Sequence, residues 1–279
     1  MSERPQLPRP TWFAGCGNMG GAMLDGWRAA GIGLSDVTVI RPSGKEVESV
    51  TTVTRFADAG PPPKLLVLAF KPQKLDEIAP QLRPWLTSKT IVLSILAGVE
   101  AATLRRRFPG AGGIVRAMPN LPVAVRRGVV GLYSEDADER TQQLLAELFA
   151  PLGFGIWLNE EAKLAAMGAV AGAGPAYVAR FIAALAKAGE KRGLSKDIAA
   201  TIALETVLGT AWMAATNGES MDSIATRVAS PKGTTQAGLA VLDHDHVLDE
   251  LVALAIDAAA RRGAELAKEA EELAADARV

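Results

Sequence analysis

The stretch that decides the fold reads Thr11-Trp12-Phe13-Ala14-Gly15-Cys16-Gly17-Asn18-Met19-Gly20. Its first four residues predict a buried strand, and the residues that follow it have a helical pattern. Gly15 permits a tight turn, Gly17 lets the backbone approach a pyrophosphate, and Gly20 allows close contact between helix and strand. The helix N-terminus then offers amide donors to phosphate groups. The sequence predicts a dinucleotide site, with a plain structural turn as the alternative. The predicted contacts in this turn are Gly15, Gly17, Asn18, Met19 and Gly20.

Short β-rich runs alternate with helical patterns through the first half of the chain, which predicts a parallel sheet covered by crossover helices. We expect an α/β domain with a Rossmann-like, doubly wound sheet over residues 1–159 and an all-helical domain over residues 160–279. The apolar strands predict burial on both faces. The predicted strands are residues 11–15, 37–40, 65–70, 90–95, 114–118, 129–133 and 154–158. The predicted helices are residues 20–30, 75–86, 101–108, 137–152, 160–170, 174–192, 196–217, 221–228, 234–242 and 246–275.

The end of the second predicted strand indicates which dinucleotide binds. A domain that binds NAD usually carries an acidic residue here, which bonds the ribose hydroxyls. This chain instead has Arg41 and Ser43, which can pair with a ribose phosphate. The sequence therefore favours NADPH, with NADH as the alternative cofactor and a surface arginine in a turn as the alternative to binding.

Composition excludes several classes of protein. The 279 residues carry 30 basic and 31 acidic side chains, so no general attraction to nucleic acid or to an anionic membrane is expected. The apolar run of residues 164–188 approaches the length of a membrane span but contains Pro175 and Arg180. A buried pair of helices is the better interpretation of this run. The single cysteine excludes a disulfide framework, no spacing predicts a metal site, and we expect a cytoplasmic protein.

Five further motifs follow one another along the chain. They read Leu68-Ala69-Phe70-Lys71-Pro72-Gln73, Ser94-Ile95-Leu96-Ala97-Gly98-Val99, Arg116-Ala117-Met118-Pro119-Asn120, Ala171-Gly172-Ala173-Gly174-Pro175-Ala176-Tyr177 and Ala229-Ser230-Pro231-Lys232-Gly233-Thr234-Thr235-Gln236-Ala237-Gly238-Leu239. In this order they resemble the pyrroline-5-carboxylate reductases, a family that makes proline by reducing a cyclic imine. The resemblance runs through nearly the whole chain after the first ten residues, and the last two motifs carry it most specifically.

The resemblance implies where the cofactor and the substrate bind. The implied cofactor contacts follow predicted strands, where ligands of a doubly wound sheet bind. They are Ala69, Lys71, Pro72, Ala97, Gly98 and Asn120. The implied substrate contacts are Ser230, Gly233, Thr234 and Thr235. Thr235 is the catalytic candidate, since its hydroxyl would bond the ring nitrogen of the imine. Serine and threonine residues before a helical pattern also predict a helix start with free amides that suit a carboxylate. Ordinary capping, a solvated Lys71 and a turn residue at Asn120 are the alternatives.

The reaction that the resemblance implies is direct hydride transfer from a nicotinamide to the imine carbon, with the ring nitrogen protonated before or during the transfer. The protein then has to place the two reactants and exclude water. The chain departs from the family's pattern at Ala171 and Ala173, where serine is usual, at Leu121, where threonine is usual, and at Lys232, where glycine is common. These departures leave a related cyclic imine as an alternative substrate, and a non-catalytic NADP-binding sensor as an alternative function.

A two-domain hydroxy-acid dehydrogenase is the closest rival enzyme. That family places a catalytic lysine and an asparagine one turn apart, and here Lys163 is followed one turn later by Met167. The helical half is also too rich in apolar positions to stay exposed, which predicts association with a second copy. We therefore expect at least a homodimer, with a larger ring of dimers as an alternative. The resemblance implies that the helices of the two subunits interlock. The expected ligand is a small imino acid.

Overall fold

The protein is described by a computed structural model that covers residues 5–276. Its described residues form two compact units. The first contains the chain up to Ala173 together with the described residues from Ala259 onward, and the second is Gly174–Ala258. The predicted domain limits, 1–159 and 160–279, remain a prediction.

The first unit is built on an eight-stranded sheet. Its strands are β1 (Thr11–Ala14), β2 (Val37–Ile40), β3 (Thr51–Val53), β4 (Leu65–Leu68), β5 (Ile91–Ser94), β6 (Gly113–Pro119), β7 (Gly128–Tyr133) and β8 (Gly153–Trp157). They are ordered β3-β2-β1-β4-β5-β6-β7-β8. Its helices include α1 (Asn18–Ala29), α2 (Leu75–Leu82), α3 (Ala101–Arg107), α4 (Glu139–Phe149) and α5 (Ala162–Met167). The strand order reverses at β1, which lies between β2 and β4, and ligands of open α/β sheets bind at such a point.

The Rossmann-like fold is confirmed, but the expectation of a wholly parallel sheet is wrong for β7 and β8. Strand β7 runs antiparallel to β6, and β8 is parallel to β7. The connection from β6 to β7 holds only a short 3-10 turn, Leu121–Val125. A parallel crossover needs a dozen or more residues, so the chain must return antiparallel here.

Two edge strands depart from the prediction. Strand β3 was not expected from the sequence; it is short, contains two threonines and pairs only with β2 among the described strands. The expected burial of both faces also fails at β8, where the Phe154 side chain is 62% exposed. Both strands lie at an edge of the sheet, where helices cover less of the surface.

Each face of the sheet has its own apolar core. On one face, Trp27 of α1 is fully buried against Phe13 and Phe149, and its indole nitrogen donates to the carbonyl of Leu148 at 2.8 Å. On the other face, α2 and α3 contribute Leu82 and Leu104 to a second cluster. Burying a large apolar side chain stabilises a fold by about 1.5–3 kcal/mol, so these two cores hold the sheet edge in a fixed geometry.

The remaining helices are α6 (Gly174–Glu190), α7 (Lys196–Asn217), α8 (Met221–Val228), α9 (Thr234–Leu242) and α10 (Val247–Asp276). The predicted limits of α7, α8 and α9 are confirmed. The predicted helix over residues 160–170 is different, because α5 ends at Met167 and continues as a π-helical turn over Gly168–Gly172. A side chain at Gly168 would stand 2.7 Å from Cε of Met118. Because glycine has no side chain, this turn packs closely on β6.

Two helical segments, Ala162–Glu190 and Lys196–Asn217, are long and apolar enough to cross a membrane, which by itself is weak support for a span. Helices α6 and α7 pack on each other around Ala186, Ala199 and Ala203. The burial expected for the helix pair over residues 164–188 is not reached within one chain, because the most apolar window of Ala162–Glu190 is only 11% buried, and that of Lys196–Asn217 is 17% buried. The exposed apolar side chains on α6 and α7 include Val178, Phe181, Leu185, Ile198, Ile202 and Leu208.

Candidate functional site

A cavity of about 630 Å³ opens at the carboxyl edge of the sheet, beside the reversal at β1. It is lined by residues that follow β1, β2, β4 and β5, so four separate segments of the chain meet there. Of the predicted cofactor contacts, the cavity is lined by Gly15, Gly17, Asn18, Met19, Gly20, Arg41, Ser43, Ala69, Lys71, Pro72 and Ala97. The structure thus brings these residues together, and their contact with a cofactor remains a prediction.

The three glycines of the first turn are placed differently. Gly15 has a φ of +79°, and a side chain there would stand 2.8 Å from the carbonyl oxygen of Ala69. At Gly20 a side chain would lie 3.3 Å from Cβ of Ala69, so this glycine lets α1 approach β4. At Gly17 nothing lies within 4 Å of the position that a Cβ would take, and the space in front of its backbone is open to a ligand. This is the arrangement that a pyrophosphate needs.

The cavity is electrostatically suited to an anion. Among the described residues that line it, Arg41, Lys71 and Lys74 are basic and no side chain is acidic. The guanidinium of Arg41 donates to the Ser43 hydroxyl at 3.1 Å, which aligns both groups after β2. A phosphate accepts charge-assisted hydrogen bonds from such groups. The pair of Arg41 and Ser43 therefore fits the phosphate that distinguishes NADPH from NADH.

Lys74 lines the cavity but was not expected there from the sequence. It lies at the end of a 3-10 turn over Pro72–Lys74, which returns its side chain to the cavity where Lys71 also lies. The ammonium of Lys74 pairs with the Glu77 carboxylate at 3.5 Å, and both side chains are exposed. The sequence signal for Lys74 was its spacing of three residues from Lys71. Three residues complete one turn of a 3-10 helix, which puts both lysines on the same side of the turn.

A second cavity, of about 550 Å³, adjoins the first. The two share Gly15, Pro42, Phe70 and Lys74, and Phe56 and Trp85 also line the second. Its lining is mostly apolar and includes Phe56, Ile78 and Trp85, together with the charged and polar residues Arg55, Lys74, Glu77 and Gln81. Such a lining suits a planar base.

Cys16 lies in the glycine turn and lines the first cavity. Burial raises the pKa of its thiol, although the nearby Arg41 charge acts in the opposite direction. The thiol therefore stays protonated at neutral pH and is a weak nucleophile. Cys16 is best described as a small side chain that leaves room in the turn.

Gly98 and Asn120 also follow strands at this edge but are not among the residues that line the cavity. The side chain of Asn120, only 6% exposed, is engaged at both ends. Its Nδ2 donates to the carbonyl of Ala171 at 3.0 Å, and its Oδ1 accepts from the amide of Val129 at 2.8 Å. Asn120 thus ties β6 to β7 and to the π-helical turn, and its predicted contact with the nicotinamide remains untested.

The predicted substrate segment lies in the second unit. Helix α9 begins at Thr234 with Gly233 as its N-cap, and no side chain caps it. The first intrahelical bond is donated by Ala237 to Gly233, so the amides of Thr234, Thr235 and Gln236 are free for a ligand. Gly233 has no room for a side chain, since one would stand 2.3 Å from the Ser230 hydroxyl. The hydroxyls and amides needed for an anionic ligand are therefore clustered at this turn.

The structure shows what surrounds the four positions that depart from the family's pattern. Lys232 is exposed and has a φ of +59°, and its amide donates to the Gln236 side chain at 2.6 Å. Leu121 is 52% exposed. Ala171 and Ala173 belong to the π-helical turn and its end, where the Ala171 carbonyl serves Asn120. The backbone contacts of this turn are therefore intact although alanine replaces the family's usual serine at positions 171 and 173.

The rival dehydrogenase is not supported by the surroundings of its candidate lysine. The Lys163 ammonium bonds Asn159 and Glu160, each at 2.8 Å, on the surface. Met167 lies against Gly131 of β7 as a packing residue. Of the two residues at the positions for alcohol oxidation, Lys163 thus belongs to the surface and Met167 to the core.

Comparison with known proteins settles the family. A sequence profile described as pyrroline-5-carboxylate reductase dimerisation matches residues 161–266, and one described as NADP oxidoreductase, coenzyme F420-dependent, matches residues 12–98. The chain is 33% identical over 264 residues to the pyrroline-5-carboxylate reductase of Pseudomonas aeruginosa, covering 92% of this chain and 96% of that protein. The chain belongs to the pyrroline-5-carboxylate reductase family.

Solved structures of pyrroline-5-carboxylate reductases have the same fold. The enzyme from Coxiella burnetii superposes with a TM-score of 0.84 at 32% identity, covering 93% of this chain and 99% of that chain. The enzyme from Plasmodium falciparum, solved with NADP bound, has a TM-score of 0.82 at 25% identity and covers 93% and 98% of the two chains. Family membership confirms the resemblance that the five motifs indicated.

Proposed function

We propose that this chain reduces 1-pyrroline-5-carboxylate to L-proline with NADPH as the hydride donor. The observation that carries the proposal is the match to pyrroline-5-carboxylate reductases along 92% of the chain. The cavity at the β1 reversal supports it, because a glycine turn, three cations and no acidic lining residue suit a phosphorylated dinucleotide. The protein is thus an oxidoreductase of proline biosynthesis.

The residues present fit NADPH in three places. The open backbone at Gly17 receives the pyrophosphate, and the N-terminus of α1 directs its amides there. Arg41 and Ser43 hold the ribose phosphate, and the adjoining cavity lined by Phe56 and Trp85 receives the adenine. The bound cofactor supplies a hydride, and Ala97 borders the end of the cavity farthest from Arg41 along the strand order.

The substrate contacts are assigned to the start of α9. The free amides of its first turn hold the carboxylate of the imino acid, since the helix dipole favours an anion there. Thr235 donates or accepts a hydrogen bond at the ring nitrogen and so orients the carbon-nitrogen double bond. Ser230, Gly233 and Thr234 shape the turn and complete the contact. The protein contributes placement and water exclusion to a reaction that needs no protein nucleophile.

We further propose at least a homodimer in the cytoplasm, with a ring of dimers as a larger form. The matched dimerisation region and the exposed apolar side chains of α6 and α7 support association. The single free cysteine is compatible with a reducing compartment. Analytical ultracentrifugation at micromolar concentration should give twice the mass of one chain or more, and a stable monomer would contradict the proposal.

Turnover is the direct test of the proposed function. Purified protein is mixed with NADPH and 1-pyrroline-5-carboxylate, and both the loss of NADPH absorbance and the formation of proline are followed. We expect equal amounts of NADPH consumed and proline formed. Binding of NADPH without turnover would instead indicate a sensor, and turnover of a six-membered cyclic imine in preference to the pyrroline would indicate the related reductase.

A further inference from the structure

One partly buried carboxylate has no role in the proposed binding of the cofactor or the substrate. Glu161 lies directly before α5, and its side chain is 22% exposed. Its Oε1 accepts from Arg116 of β6 at 2.6 Å and from the backbone amide of Ala101, the first residue of α3, at 2.7 Å. The Arg116 side chain is 15% exposed. A single oxygen therefore bonds residues of two other elements, β6 and α3, that are 45 and 60 residues from Glu161 in sequence.

Both contacts of Glu161 adjoin the loop that follows β5. Ile95, Leu96 and Ala97 of this loop line the cofactor cavity. The start of the loop is held by Ser94, whose buried hydroxyl accepts from the amide of Leu96 at 3.2 Å. The end of the loop is Ala101, which Glu161 holds. Glu161 and Ser94 thus fix the two ends of one cavity wall.

The position of this wall identifies the part of the cofactor that it faces. Arg41 follows β2, the glycine turn follows β1, and the loop follows β5, three strand spacings from β2. At about 4.8 Å per spacing, the loop lies about 14 Å from the ribose-phosphate region, which places it at the nicotinamide end of an extended dinucleotide.

We propose that Glu161 is a positioning residue for hydride transfer: it holds the loop of residues 95–100, the nicotinamide-side wall, through its bonds to Ala101 and Arg116. The inference rests on the proposed function and adds a residue that acts through the loop. Arg116 keeps the carboxylate in place, and Ser94, its neighbour in the sheet register, secures the other end of the loop.

The chain offers a matched control at the opposite end of β6. Asp136 also combines an arginine and a backbone amide, since it pairs with Arg105 and accepts from the amide of Ile114 at 2.9 Å. Ile114 is near the amino end of β6, away from the cavity. Asp136→Ala therefore removes the same kinds of bond, one to β6 and one to Arg105, which lies four residues after Ala101 in α3, and removes no bond to the loop of residues 95–100.

The experiment compares Glu161→Ala, Glu161→Gln and Asp136→Ala by steady-state kinetics and by NADPH binding. For Glu161→Ala we expect kcat to fall by about 10- to 100-fold, as for a misplacement of reacting groups by about 1 Å, and the Kd for NADPH to stay within about threefold. Glu161→Gln keeps an acceptor for both donors and should restore kcat to within about threefold of wild type. Asp136→Ala should lower Tm but leave kcat within about twofold. Equal kcat losses in Glu161→Ala and Asp136→Ala, or none in Glu161→Ala, would overturn the inference.

A second variant covers the case in which Glu161→Ala does not fold. Ala101→Pro removes only the amide that Glu161 accepts, at the first position of a helix where proline is tolerated, and Glu100 before it is already extended. It should reduce kcat as Glu161→Ala does, and an unchanged kcat would refute the assignment. Hydrogen exchange of the amides of residues 95–100 should accelerate in Glu161→Ala but not in Asp136→Ala. This readout needs no turnover, so an inactive wild type would refute the proposed function alone, whereas unchanged exchange would refute the role of Glu161.

Discussion

Replacing Gly17 by valine separates cofactor binding from folding more cleanly than any other change in the glycine turn. Gly17 has a φ of -86°, which any residue can adopt, and no atom lies within 4 Å of the position that a Cβ would take. At Gly15, by contrast, a side chain meets the carbonyl of Ala69 at 2.8 Å in a left-handed backbone. Only at Gly17 does a new side chain occupy ligand space and leave the protein's own packing unchanged.

The expected magnitudes follow from this geometry. Gly17 is the N-cap of α1, and valine is a poor N-cap, so the variant should lose about 1 kcal/mol of stability. For a domain of this size, that is a fall in Tm of about 2–4 °C. The isopropyl group stands where the pyrophosphate approaches the backbone, and we expect NADPH affinity to fall at least about 100-fold, or about 2.7 kcal/mol.

Thermal shift with NADPH measures both effects in one assay. At a concentration of 100 times the wild-type Kd, bound NADPH stabilises the wild type by about 2.7 kcal/mol, which raises Tm by about 5–11 °C. At the same concentration a variant with a 100-fold weaker site gains only about 0.4 kcal/mol and about 1–2 °C. Gly33→Val is the matched control, because Gly33 is exposed, has equally free surroundings and does not line the cavity. A Gly17→Val protein with the wild-type NADPH shift would show that the loop is only a turn.

Three further predictions concern single side chains. Arg41→Asp should lower NADPH affinity by about 10- to 100-fold and raise the preference for NADH, because it removes a charged bond to the ribose phosphate. If the ratio of kcat/KM for NADPH to kcat/KM for NADH is the same in variant and wild type, the assignment is rejected. Thr235→Ala should lower kcat by about 10-fold or more while NADPH affinity holds, and Thr235→Ser should retain activity; an unchanged rate in the alanine variant removes Thr235 from the site. The pKa of Asp138 is lowered by its hydrogen bonds from Thr141, so its ionised form stabilises the fold above the ordinary carboxyl pKa, and this stabilisation disappears as pH falls through the lowered value. The Tm gap between wild type and Asp138→Asn should therefore be present near neutral pH and close in acid, and a gap that widens in acid would contradict this.

Much of the first unit could be predicted from local sequence pattern. The run from Thr11 to Gly20 combines an apolar strand, a glycine turn and a helix start, and each of these depends on neighbours within a few residues. The same holds for Arg41 and Ser43, which lie directly after a strand. Local chemistry was therefore enough to predict a cavity lined by these residues.

Features that depend on distant packing could not be predicted in this way. The π-helical turn accompanies contact between Gly168 and Met118, 50 residues away in sequence. Glu161 is an ordinary helix-start carboxylate until the fold brings Arg116 and Ala101 to it. The amide of Asn120 was expected at the cofactor, and only the tertiary structure shows that both of its ends are already bonded. The direction of β7, in contrast, follows from the short connection after β6 and was open to prediction.

The most direct test of the central claim follows a labelled hydride. The claim is that the nicotinamide of NADPH passes hydride straight to the imine carbon. NADPH that carries deuterium at one C4 position, prepared in each of the two stereochemical forms, is incubated with the protein and 1-pyrroline-5-carboxylate. We expect proline with a single deuterium at the carbon that had been double-bonded to nitrogen, from one form only. Proline without label from either form, or label that washes out into water, would contradict it.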